Sequence, residues 1–84
     1  MLDHIDDEIK KIFFEVFPDL SESDFDWEKK QNDYNDWDSF SQLSLITMVE
    51  SKFSISITDD ESVTIRSAED MQKIVNRHKR KSDS

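Results

Sequence analysis

Glycine is absent from this chain, cysteine is absent too, and its one proline is Pro18. Without glycine, no residue enters the left-handed backbone region at low cost, so a turn needing positive φ falls to Asn or Asp. Asn32, Asp33, Asn35 and Asp36 are placed for that task between two apolar runs. Without cysteine there are no disulfides or thiolate metal sites, and nothing indicates an oxidising compartment. A chain of 84 residues is enough for one small domain, which buries only about 60% of the surface its unfolded chain exposes. Stability must then come from side-chain packing alone, and a helical bundle suits that constraint.

The apolar spacing marks three helices. Ile5, Ile9, Ile12, Phe13 and Val16 fall on one helical face, with acids in the first turns and Pro18 as the stop. Phe40, Leu43, Ile46, Val49 and Phe53 form a second stripe, which Leu45 and Met48 broaden until the helix reads as buried on more than one side. Ala68, Met71, Ile74 and Val75 form a third, opened by Ser67 as N-cap. The linker of about 20 residues between the first two helices is long for a compact domain. Leu20, Phe25, Trp27, Tyr34 and Trp37 are expected to pin it to the core. The segment "FSISITDDESVTI" reads two ways. Alternation of Phe53, Ile55 and Ile57, then of Val63 and Ile65, suits a β-hairpin, whereas Thr58 and Glu61 suit the capping box of a short helix.

Charge and chemistry exclude more than they assign. The net charge of −9 divides into −9 over residues 1–38, −3 over 39–76 and +3 over 77–84. An acidic body disfavours nucleic acid and favours partners with basic surfaces. The terminal "RHKRKSDS" is expected to be a frayed, solvated helix end. The charged start "MLDHIDDEIKK" is unlike a signal peptide, and no apolar run approaches the roughly 20 residues of a membrane span. A cytoplasmic protein is therefore expected, and a monomer, since no heptad seam is visible. A P-loop, a Gly-rich dinucleotide turn and a Cys/His zinc site are excluded by composition. His4 and His78, near opposite ends, read as surface residues, and no metal site is expected. No histidine neighbours Ser39 to activate it as a nucleophile, so the chain is not expected to be an enzyme.

The stretch Asp36 to Glu50, "DWDSFSQLSLITMVE", sets an Asp-Ser pair before an apolar run. Ser39 and Gln42 match an S-x-x-Q capping box, and a helix N-terminus also favours an esterified phosphate. "WDSFSQLSLITMVESKFSISI", continuing through "TDDESVTIRSAEDMQKIV", resembles the Asp-Ser-Leu stretch and following helices of acyl and peptidyl carrier proteins. The resemblance covers nearly the whole chain. It implies an all-α four-helix bundle with three long helices, a short third helix over "DDESVT" and a long loop between the first two. The carrier domain would span residues 1–77, with a basic tail over 78–84.

The resemblance further implies that Ser39 carries 4′-phosphopantetheine taken from coenzyme A. Asp38 would help a phosphopantetheinyl transferase place its metal ion and coenzyme A. Phe40, where the family usually has Leu, and Glu50 would contact partners, among them an acyl- or aminoacyl-loading enzyme and a downstream acyltransferase. Leu45, Met48, Val49 and Ile57 form a candidate cargo cleft, with plain core as the competing reading. This sequence departs from fatty-acid carriers in the uncharged Ser41, Ser44, Thr47 and Ser51 on the second helix and in Trp37 before Asp38. Those departures suggest a stand-alone carrier with a dedicated loading enzyme. The alternative is an unmodified acidic helical module that binds or regulates another protein.

Overall fold

The computed structural model describes the backbone of residues 4–83 and the side chains of 5–79. Four helices follow one another: α1 (His4–Val16), α2 (Ser39–Phe53), α3 (Asp59–Ser62) and α4 (Ala68–Asp83). No strand occurs among the described residues. The chain is an all-helical small bundle in which α1 packs against both α2 and α4. Ile9 and Phe13 of α1, Leu45 and Val49 of α2, and Met71 and Val75 of α4 are wholly buried in one shared core.

Each helix begins and ends for a local reason. Asp6 and Asp7 lie in the first turn of α1, where carboxylates complement the helix dipole. The helix stops at Val16, two residues before Pro18. At α4, the buried Ser67 hydroxyl accepts from Asp70 N at 3.1 Å, and the Asp70 carboxylate in turn accepts from Arg66 N at 2.9 Å. The linker supplies a further partner there, since Glu69 N donates to Trp27 O at 2.9 Å. These bonds occupy N–H groups that a helix start leaves without partners.

The linker is ordered by the five apolar side chains expected to pin it. Tyr34 and Trp37 are buried, and Leu20, Phe25 and Trp27 pack partly buried on the core. Their rings gather around α1: Phe13 meets Trp37 edge-on at 5.6 Å between centroids, and Phe17 meets Tyr34 at 5.0 Å. A short 3-10 turn over Gln31–Asp33 is tied to the segment before α4 by Gln31 N donating to Arg66 O at 2.7 Å.

Three sequence expectations are corrected. None of the linker Asn or Asp residues takes positive φ; among the described residues only Ser54 does, at φ 55 and ψ 49, closing the C-terminus of α2. A helix end of this type wants a left-handed residue so that later N–H groups can fold back, and Ser54 N and Ile55 N both reach Glu50 O. The hairpin reading of 53–65 also fails. Thr58 and Glu61 form a complete capping box, and Thr64 N and Ile65 N then bond back to Glu61 O and Ser62 O, a turn geometry that consumes the groups a strand would pair.

The third correction concerns α2. Leu45, Ile46, Val49 and Phe53 are buried, but Phe40 is 78% exposed and Leu43 61%. At 3.6 residues per turn, Phe40, Leu43 and Thr47 lie opposite Leu45 and Val49. The helix is apolar on two sides, and only one of them meets α1.

At the other end of the chain, α4 runs from Ala68 to Asp83. His78 is half-buried, not a plain surface residue, and its Nε2 lies 3.1 Å from both Glu61 carboxylate oxygens. Lys79 Nζ donates to Phe53 O at 3.3 Å. The side chains of His4 and of residues 80–84 lie outside the described set.

Candidate functional site

The Asp38-Ser39 pair stands at the start of α2, and the structure divides its work differently from a serine cap. Asp38 is the N-cap: extended at φ −110 and ψ −170, it accepts from Ser41 N through Oδ1 at 2.9 Å. Ser39 is the first helical residue, exposed, and its hydroxyl makes no hydrogen bond among the described residues. The expected Ser39–Gln42 capping box is therefore corrected, because an aspartate one residue earlier already reaches the N–H of Ser41. The backbone N–H of Ser41 holds the Asp38 carboxyl below its ordinary value, with the Ser41 side chain contributing next. Asp38 is thus an anion at neutral pH, next to an uncommitted hydroxyl.

Gln42, freed from capping, does something local rules did not suggest. Its Oε1 accepts from Trp37 Nε1 at 2.7 Å, and its Nε2 donates to Ser62 O at 2.9 Å and to Ile65 O at 3.4 Å. The indole of Trp37 is only 6% exposed, and a buried indole N–H needs an acceptor. Two further bonds hold the approach to the pair: Gln31 Nε2 to Trp37 O at 3.3 Å and Ser41 Oγ to Asp36 O at 2.8 Å. Residues on both sides of Asp38-Ser39 are fastened, and the Ser39 hydroxyl is left facing solvent. The sequence signal for Gln42 was the unassigned indole of Trp37, which had to find a partner.

With this geometry in view, no family model, curated protein or solved structure matches the chain. What the site can do follows from its own chemistry.

The other candidate residues scatter. Phe40 lies exposed one residue past Ser39, and Val63, beyond α3, is 69% exposed. Glu50, expected to face partners, is half-buried and spends Oε2 on Ile57 N at 2.8 Å, fixing the loop after α2. Leu45 and Val49 are sealed in the core, whereas Met48 and Ile57 are half-buried. An acyl chain entering among these four would have to part packed side chains. A groove of about 480 Å³ between α1 and α2 is lined by Met48, Ile12, Lys11 and Lys52 among others. Among the described residues no group of three or more His, Cys, Asp or Glu could hold a metal ion, and no helix is long and apolar enough to cross a membrane.

Proposed function

We propose that the chain is a carrier protein that holds an acyl or aminoacyl intermediate as a thioester on a 4′-phosphopantetheine arm attached to Ser39. The observation that carries this reading is the free, exposed hydroxyl of Ser39 on the first residue of α2, beside a carboxylate that caps the helix in its place. A serine kept only for capping would have its oxygen on a backbone N–H. The residues present suit a phosphodiester: the site is open, and the positive end of the α2 dipole favours an anion there.

In attachment, Ser39 Oγ forms a bond to phosphorus of the coenzyme A pyrophosphate while the P–O bond to the adenosine 3′,5′-bisphosphate leaving group breaks. The hydroxyl proton passes to a base of the transferase, which this chain does not need to supply. In this reading Asp38, ionised and capping the helix through Oδ1, would meet a divalent cation brought by that enzyme. When bound, the arm supplies the thiol that carries the cargo. Phe40 and Leu43, exposed on the far side of α2, offer partners an apolar contact beside the attachment point.

Incubation with coenzyme A and a broad-specificity phosphopantetheinyl transferase, followed by intact-protein mass spectrometry, tests the proposal. The expected result is a single phosphopantetheine added to the wild-type chain and none to Ser39→Ala. No mass gain on the wild type, or one that persists in Ser39→Ala, overturns it. The exposed Phe40, Leu43 and Val63 favour a second reading, an unmodified interaction module, which that negative result would support. A dedicated loading enzyme is part of the proposal; loading as fast by a general fatty-acid malonyltransferase counts against it.

A further inference from the structure

We infer that Gln42 is a positioning residue for modification of Ser39, acting through two separate arms of one side chain; the inference rests on the carrier reading above. One arm faces back along the chain. Gln42 Oε1 takes the Trp37 indole N–H at 2.7 Å, joining the residue before the Asp38-Ser39 pair to the residue three after Ser39. Since the indole is itself fixed edge-on against Phe13 and against Tyr34 at 5.0 Å, this bond ties the start of α2 to the aromatic core. The direction in which Ser39 Oγ leaves the helix is set from there.

The other arm faces across the fold. Gln42 Nε2 holds the carbonyls of Ser62 and Ile65, which bracket the exposed Val63. The same side chain therefore fixes the backbone that carries Val63 relative to the helix that carries Phe40 and Leu43. One arm presents the hydroxyl, and the other keeps the apolar contact surface in register. An incoming transferase needs both, because docking sets its affinity for the carrier and hydroxyl placement sets its turnover.

Three substitutions separate the arms. Trp37→Phe keeps a ring in the aromatic cluster and removes the indole N–H. Gln42→Glu keeps an acceptor for Trp37 but places carboxylate oxygens against two carbonyls. Gln42→Met keeps the side-chain length and removes both arms. In steady-state phosphopantetheinylation, Trp37→Phe is expected to lower kcat about tenfold with KM for the carrier little changed. Gln42→Glu is expected to raise KM about tenfold with kcat retained, and Gln42→Met to show both effects. If the wild type is modified and all three variants react at its rate, the inference is overturned while the carrier reading stands. If the wild type is not modified at Ser39, both fall. Should a variant not fold, the unaltered protein carries the test: in proton NMR the Trp37 indole N–H is expected to exchange with solvent at least tenfold more slowly than that of Trp27, whose indole N–H has no hydrogen bond among the described residues. Equal exchange of the two overturns the inference.

Discussion

Asp38 and Ser39 hold two jobs that a capping serine would have combined, and substitution can part them. Asn is as good an N-cap as Asp, so Asp38→Asn is expected to keep the helix cap and a near-native urea midpoint while slowing transfer to Ser39, because the anion is gone. Asp38→Ala should slow transfer as well and lower the urea midpoint, because the cap on Ser41 N is lost. Tyr34 poses a different residue-scale question: its hydroxyl is buried with no hydrogen-bond partner among the described residues, and burial, with the nearby Asp26 charge, pushes its pKa up to about 12. A folded pKa above the unfolded value near 10.0 means that unfolded chains lose the phenolic proton first. Stability is then complete below pH 10 and falls as pH rises toward 12, by up to roughly 3 kcal/mol. Tyr34→Phe is expected to be neutral or slightly stabilising at pH 7 and to remove that alkaline loss, measured by unfolding at pH 7 and pH 11.

At the level of elements, the absence of glycine leaves its mark, among the described residues, at a single helix end. Ser54 carries the left-handed conformation that closes α2, at φ 55, where an L-residue with a Cβ pays about 1 kcal/mol or more. Ser54→Gly is expected to raise stability by about 1 kcal/mol, seen as a higher urea midpoint with unchanged slope. The short helix α3 relies on Glu61, whose carboxylate bonds Thr58 N at 3.0 Å, faces His78 at 3.1 Å and lies 3.5 Å from Arg77 Nη1. The Thr58 N–H is the main cause, before His78, of a Glu61 pKa below its ordinary value. A depressed carboxyl stabilises the fold above the unfolded value and loses that effect as pH falls through the folded one. The α3 anchor therefore weakens on the acid side.

For the whole molecule, the decisive feature is that one core must serve three helices and a linker. Phe13 is fully buried and meets the rings of Phe17, Phe25, Tyr34 and Trp37. Phe13→Ala is expected to cost about 3–5 kcal/mol, a large share of the roughly 5–15 kcal/mol that holds a domain folded. Phe40→Ser, on the opposite side of α2, should change stability by no more than about 0.5 kcal/mol. Thermal and urea unfolding of the two variants side by side check the contrast. Together they would separate the ring that holds the bundle together from the ring it displays.

The sequence alone determined where the three long helices lie, because periodicity, Pro18 and the Ser67 cap act within a turn or two of chain, whereas the Thr58–Glu61 box stood beside an equally readable hairpin until the fold placed α3 there. It also placed the Asp-Ser pair at the head of α2 and named the five side chains that pin the linker. Only the tertiary structure decided which side of α2 is core, since a helix apolar on two faces gives periodicity no single answer and packing on α1 makes the choice. Only the tertiary structure, too, took Gln42 from a capping box to Trp37 and α3, brought His78 to Glu61, and put positive φ on Ser54 instead of a linker Asn. Those outcomes depend on partners supplied by other elements or on how a helix end meets the loop beyond it, and local rules carry no information about either.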